Sequence, residues 1–512
     1  MKKLGLKLGI LLLVISLLLS MVGCGQKVVE ESVWVEGEGT TSIITHSSGS
    51  SDTTSSGNDK NEVDVNVSEQ NNSSSSSKNE SSSKNESSSK NESSSNNESS
   101  SNNESSSRNE SSSASNDIDM NSLKGKTVHL LMWRPLRDTE KNTISNFEKE
   151  TQIKIKVTQT TWGNYMTKLS SMISSGDYVD VAVIPNEQGS QGCFPLGTAT
   201  AFQPIKVTKQ KLTDDIWNLD AMNDYKLKNE YYAFIGYNNF FSNAGVIFYN
   251  VDIFKEVGIE TPRELWKAGK WNWDTLKSSA AAITAKGYSG FANQLYDMYM
   301  STIGTNYVSY DSKKFTSEIT SEKMIKAWTF NAEMVEAGYQ LPYAAGDALK
   351  NKFLYEGNVG MLSINTWLML KTEGALSAKF ELDAVPCPAP AGQEMVAVPV
   401  HNLFGIPKGA KEPVAAGVFL KEFLASENAG KFEDVVVNPK MKDTFEYVTG
   451  KTKTGTPSFA IGVIGYTNFT NLKKLEETLS KTPSNQITTV LQKNKAFVDN
   501  SVNTANKKLG LN

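Results

Sequence analysis

Apolar positions fall into three regimes along this chain. From Leu8 to Leu19 they are nearly unbroken. Between about 25 and 122 they all but vanish, and from Leu123 onward they recur with strand and helix periods. Lys126-Thr-Val-His-Leu-Leu-Met-Trp133 lies between Gly125 and Pro135 and predicts a buried strand. Thr139 to Thr151 puts Ile144 and Phe147 on one face and predicts a helix capped by Asp138. Ile153-Lys-Ile-Lys-Val157 alternates as a second strand. Trp162-Gly-Asn-Tyr165 opens a helix carrying Met166, Leu169, Met172 and Ile173 at helical spacing, ended by Ser175-Gly-Asp177. Val179-Asp-Val-Ala-Val-Ile184 is a third strand, running into Pro185-Asn186-Glu187. Strand, helix, strand, helix, strand predicts an α/β fold with a parallel sheet and right-handed crossovers.

A later stretch, Lys352 to Trp367, has a turn at Glu356-Gly-Asn358 and then a short apolar strand with Val359, Met361, Leu362 and Ile364. Such a strand has room for about five residues. It releases Asn365-Thr-Trp367 just past its C-terminal end, where ligands sit in open α/β sheets. Trp367 therefore has two readings, a packing residue beneath the next helix or a ligand-facing aromatic.

The N-terminal regime is that of an export signal: Lys2, Lys3 and Lys7, the apolar run, then Met21-Val-Gly-Cys24. The run is short for a retained membrane helix, and the segment after it is predominantly polar, which favours cleavage. The Gly-Cys junction resembles a bacterial lipoprotein cleavage site, with Met21 and Val22 departing from the preferred pattern. That resemblance implies lipid on Cys24, enough to hold the protein on the outer face of a cell membrane. From Ser73 to Ser113 a hexamer recurs, beginning Lys78-Asn-Glu-Ser-Ser-Ser and ending with Arg108-Asn-Glu and three serines. It has no apolar positions to stack as a β-helix, so residues 25–122 are expected to be a disordered linker. About 100 such residues span on the order of 55 Å, enough for a tether across a thick, Gram-positive-type wall.

Net charge is −4 over 512 residues, which gives no basic field for nucleic acid. Apart from Cys24 only Cys193 and Cys387 remain; they have no metal-type spacing, and their pairing is open. Of the two histidines in the folded region, His129 sits mid-strand and reads as core. His401 follows a strand end and either lines a cleft or lies at the surface. No Gly-x-Ser-x-Gly elbow, His-Glu-x-x-His helix or Walker A loop occurs. Glu187 and Asp297 could form a glycosidase-like pair only if the fold brought them together. Trp271, Trp273 and Trp328 read as packing residues, with Asp274 capping the helix that follows the first two.

Several motifs occur in one order: a strand ending in Trp133, Phe147-Glu-Lys-Glu-Thr-Gln-Ile153, Trp162-x-x-Tyr-x-x-Lys-Leu169 and Ser174-Ser-Gly-Asp-x-x-Asp-Val181. Gly245-Val-Ile-Phe-Tyr-Asn250, Gly269-Lys-Trp-Asn-Trp-Asp-Thr275 and Tyr355-Glu-Gly-Asn-Val-Gly-Met361 with Ile364-Asn-Thr-Trp367 follow. Their order and spacing resemble bacterial extracellular solute-binding proteins, family 1, the sugar-type receptors of ABC importers. Gly360 stands where Ala is usual and Thr366 where Gly is usual.

The resemblance implies a two-lobed periplasmic-binding-protein-like (type II) fold. Residues 1–24 would be the signal, 25–122 the linker, 123–238 with 385–430 lobe 1, and 239–384 with 431–512 lobe 2. It also implies a carbohydrate ligand clamped between the lobes, ABC-importer permease partners, no cofactor, and a monomer. A sugar needs flat aromatics for its CH faces and polar side chains for its hydroxyls. Candidates at strand ends and the crossover are Trp133, Arg134, Tyr165, Asn186 and Glu187 in lobe 1, and Asn239, Ser242 and Asn243 near the crossing. Tyr296, Asp297, Asn365 and Trp367 are those of lobe 2. Rival readings are a secreted carbohydrate-active enzyme and a sensory or adhesion receptor.

Overall fold

In the computed structural model the described residues are 118–184, 194–238, 240, 243–295, 297–344, 347–373, 375–426, 432–450 and 452–511. The chain divides into Met1–Ser107 and Arg108–Asn512, and everything described lies in the second unit. The expected signal, Cys24, the linker as far as residue 117, Asn186, Glu187, Cys193, Asn239, Ser242 and Tyr296 lie outside the described residues, whereas the end of the expected linker is ordered, Met120–Leu123 forming a 3-10 helix.

Fourteen strands are described: β1 Thr127–Met132, β2 Lys154–Gln159, β3 Ala182–Ile184, β4 Phe202–Gln203, β5 Lys226–Leu227, β6 Glu230–Tyr231 and β7 Ala244–Asn250. After them come β8 Ser289–Asn293, β9 Val308–Tyr310, β10 Phe315–Ser317, β11 Val359–Asn365, β12 Leu382–Pro386, β13 Val398–Pro399 and β14 Leu403–Pro407. β1 and β2 pair in parallel from Thr127↔Lys154 to Met132↔Gln159, and Leu130↔Val181 joins the segment leading into β3. β14 returns antiparallel to both β3 and β4. The first sheet therefore has the order β2-β1-β3-β14-β4. The second has the order β12-β7-β11-β8, with β13 also on β7. β8 and β11 are parallel, while β7 is antiparallel to its partners. Two α/β lobes result, as the motif order implies.

Local chemistry explains most elements and corrects two expectations. The first helix is Asp138–Thr151, but Asp138 is not its cap. Glu140 reaches back to the amide of Arg137 at 2.7 Å, while Asp138 pairs with Lys141 at the surface. Likewise Asn272, not Asp274, caps the helix Trp273–Ala285, its Oδ1 accepting from the amides of Asp274 and Thr275. An Asn side chain two residues upstream reaches these orphan amides, which Asp274, already inside the helix, does not.

Trp271, Trp273 and Trp328 are buried. The first two indoles donate to the carbonyls of Pro386 and Pro388, pinning the chain as it leaves β12. His129 is fully buried, with one ring nitrogen 2.7 Å from the Tyr178 carbonyl and the other 2.8 Å from Thr158 Oγ1. Burial lowers its pKa, so it is a neutral clip between β1, β2 and the loop before β3. Gly360 has a steric reason: a Cβ there would lie 2.6 Å from Ile283 Cδ1 and 3.1 Å from the Gly290 carbonyl oxygen. No described helix is long and apolar enough to cross a membrane.

Candidate functional site

The first aromatic ledge lies beyond β1. Trp133 is half-buried, its ring 5.9 Å from Trp162 and 6.4 Å from Phe404 on β14. Trp162 is also half-buried and belongs to the short 3-10 turn Trp162–Asn164 that opens the second helix. Tyr165 lies under this ledge rather than on it. It is 1% exposed, and its hydroxyl accepts from the amide of Val183 (2.6 Å) and contacts the carbonyl of the same residue (3.2 Å). Burial pushes its pKa up, so it remains a neutral phenol.

Arg134 is also occupied in support. Its guanidinium forms a fork to Glu140 at 2.8 and 2.6 Å and lies 5.4 Å from the Trp133 ring centroid. Burial alone would raise the pKa of Glu140, but Arg134 and the Arg137 amide hold it below the ordinary carboxylate range. Helix start and ledge are thereby one unit.

The second ledge lies beyond β11. Trp367 is half-buried in the 3-10 turn Thr366–Met369, and Lys350 Nζ sits 5.4 Å from its ring centroid and 2.9 Å from Asp347. Asn365 Oδ1 is buried and meets no hydrogen-bond donor among the described residues. Thr366 has a task glycine could not perform: its hydroxyl donates to Asn243 Oδ1 (3.3 Å) and receives the Ala244 amide (3.4 Å). The turn before Trp367 is thus tied to the start of β7, the segment that enters the second sheet.

The crossing segments lie side by side. Asn365 pairs with Gly245, Gly245 with Val398, and neighbouring Ala397 with Thr454. Val400 continues toward β14 with its amide bonded to the Asn243 carbonyl at 3.1 Å. Trp367 stands at one edge of this ribbon and Thr454 at the other.

Asp297 is not on either ledge. The residue as a whole is half-buried, with its carboxyl turned inward beside Ser458 and Asn306. Burial pushes its pKa up to about 6, with those two hydrogen bonds acting the other way. Glu476 is pushed up to about 7, chiefly by burial and next by Asp297. His401, open between two readings in sequence, is 4% exposed, its ring 6.5 Å from Tyr225, so it is not a surface residue.

Sequence reasoning missed the aromatic seam around it. Phe194, Tyr225 and Phe459 meet with centroids 5.5–6.1 Å apart, from three distant stretches. No local period marks such a convergence. It also missed a cavity of about 580 Å³ beside the seam, between the helix Leu219–Asp224, the β9–β10 hairpin and residues 454–459. Cys387 is a free, buried thiol whose pKa burial pushes up.

The profile of the bacterial extracellular solute-binding proteins matches residues 135–430. A binding protein of Brucella abortus (strain 2308) is 29% identical over 160 residues, which cover 28% of this chain and 36% of that relative. The chain thus spans about a third of the curated relatives it matches. Among solved structures, the GacH receptor of Streptomyces glaucescens, known unliganded and with acarbose, superposes with a TM-score of 0.55 at 16% identity. It covers 73% of this chain and 98% of that one. The galacto-N-biose-/lacto-N-biose I-binding protein of Bifidobacterium longum, solved with lacto-N-biose, gives 0.55 at 14% identity, covering 75% and 98%. UgpB of Mycobacterium tuberculosis, solved with glycerophosphocholine, gives 0.53 at 15% identity, covering 73% and 99%. Since the profile takes in more than half of the sequence, the chain belongs to the bacterial extracellular solute-binding protein family.

Proposed function

We propose that this protein captures a sugar or short oligosaccharide outside the cytoplasmic membrane and delivers it to an ABC importer. The observation that carries the reading is the pair of half-buried tryptophan ledges, Trp133 with Trp162 and Trp367, each just past the C-terminal end of a strand of a different sheet. A flat indole stacks on the CH face of a sugar ring, contributing about 0.5–1.5 kcal/mol beyond area burial. Two or three such contacts reach roughly micromolar affinity. Asn365, with its buried, unmatched carbonyl oxygen, and Asn243 would read hydroxyls. Arg134 and Tyr165 hold the first ledge, and Asn186, Glu187, Asn239, Ser242 and Tyr296 complete the proposed set. Asp297 acts from behind, near the seam. That acarbose and lacto-N-biose are the ligands of two proteins of the same fold supports this reading.

The protein acts by binding and release, without turnover. Ligand touching both lobes favours the closed arrangement by its differential affinity for it, and the permease recognises that arrangement. Lipid on Cys24 and the serine-rich linker would keep a monomer tethered to the outer face of the membrane.

A thermal-shift screen of the mature protein over mono- and oligosaccharides, with glycerophosphodiesters as the contrasting class, tests the proposal. A ligand at 100 times its Kd adds about 2.7 kcal/mol. Trp367→Ala should abolish the shift while the protein still melts cooperatively. No shift with any sugar defeats the reading. Loss of the fold in the variant returns Trp367 to a packing role.

A further inference from the structure

We propose that the cavity at the far edge of the crossing ribbon is a second small-molecule site, taking a monosaccharide-sized polyol that carries an ammonium group. Its volume, about 580 Å³, is in the range that buries a small ligand. Its lining includes none of Trp133, Trp162 and Trp367, and it is offset from the Trp367 ledge. Reading across the ribbon from Asn365 through Gly245 and Val398 to Thr454 crosses three strand spacings, about 14 Å.

The lining sets the ligand class. Asp224 sits on the wall half-buried, accepts from Thr454 Oγ1 at 3.2 Å, and forms no ion pair among the described residues. Burial pushes its pKa up to about 6, so at neutral pH it is a poorly solvated anion that a cationic donor would stabilise. Glu318, another lining carboxylate, accepts from Ser309 Oγ at 2.9 Å. Lys323 also lines the cavity, but its ammonium is bonded to the Gly304 carbonyl at 3.3 Å. Two carboxylates against one engaged ammonium leave a net negative lining, which disfavours phosphates and carboxylates as guests.

Among the described residues no three His, Cys, Asp or Glu side chains gather as a metal site, and the two lining carboxylates suit an ammonium donor. Tyr310, half-buried on the lining, offers aromatic surface to a ring face or to the ammonium itself, with Phe459 behind it, centroids 6.2 Å apart. The cavity draws its walls from both lobes, so its guest favours this arrangement of the two.

Titration calorimetry of the full chain with glucosamine, and with glucose as the uncharged counterpart, tests the site. Saturable glucosamine binding is expected, with glucose about tenfold or more weaker, since a charge-assisted hydrogen bond is lost. Asp224→Asn, which keeps the side-chain shape, should weaken glucosamine about tenfold or more with its melt still cooperative. Glu318→Gln provides a second reading should the first variant not fold. Equal binding of the two sugars, unchanged affinity in both variants, binding lost in Trp367→Ala, or no saturable binding at about ten times a millimolar Kd would each overturn the proposal. A sugar that binds the ledges unaffected by Asp224→Asn leaves the transport reading intact, so the two proposals fail separately.

Discussion

Asp297 and Glu476 keep enclosed carboxyl groups whose pKa values are pushed up to about 6 and about 7. The folded state therefore holds these protons more tightly than the unfolded chain does. Their contribution to stability is complete below about pH 4 and is lost as pH rises through about 6 to 7. Thermal melts across that window should show stability falling, and Asp297→Asn should flatten the fall. Asp224, also pushed up to about 6, adds to the fall, while His129, held low by burial, acts the other way; Glu140 and Asp443, held below the ordinary range, act only at lower pH. At this scale sequence was informative wherever position decided the role. His129 mid-strand was readable as core, and Trp133 and Trp367 as strand-end residues. It was less informative wherever a side chain's reach decided: Arg134 and Tyr165 read as ligand-facing in sequence, yet Arg134 turns onto Glu140 of the following helix and Tyr165 onto Val183 of β3.

Element by element, the βαβαβ opening was legible because apolar periodicity and glycine punctuation agree there. The β9–β10 hairpin was not, since three-residue strands carry no readable period, and the pairings within the crossing ribbon were not, since the partners are far apart in sequence. Nothing local announces the clasp on β12 either. Arg263, from the helix Pro262–Lys267, forks onto the buried Asp383 with two contacts of 2.6 Å. It also reaches Asp443 at 2.7 Å, and Tyr249 donates its hydroxyl to Asp383 at 2.7 Å. Three segments thereby meet at the Asp383 carboxylate, and the Arg263 guanidinium ties in a fourth through Asp443. Removing one partner of such a pair leaves a buried charge uncompensated. Asp383→Ala should cost about 3–5 kcal/mol in urea denaturation, with little change at either ledge.

For the whole molecule, the tightest backbone approach at any described glycine joins residues 462 and 194. Gly462, in the helical segment Ile461–Gly465, faces the carbonyl of Phe194, which precedes β4 in the first sheet. A Cβ on Gly462 would lie 1.6 Å from that oxygen. Backbone cannot yield as a flexible side chain does, so Gly462→Ala should wedge these two segments apart. Small-angle scattering should then show a larger radius of gyration with helix content unchanged. The two-lobed plan was legible from motif order, whereas the seam was not, because it exists only once residues near 194, 225, 401 and 459 are brought together.

The ribbon that carries the chain between lobes is cross-linked: Val400 N–H to the Asn243 carbonyl at 3.1 Å, Ala397 N–H to Lys453 at 3.0 Å, and Gly455 N–H to Ala397 at 2.8 Å. Such a strip behaves like a leaf spring, stiff against sliding of its strands and compliant to flexure out of its plane. Opening and closing can then proceed without breaking a rung. In hydrogen–deuterium exchange the amides of Val400, Ala397 and Gly455 should stay slow with and without ligand, while protection is gained on either side of them. Rapid exchange at these three in the ligand-free protein would mean that the spring comes apart at each stroke.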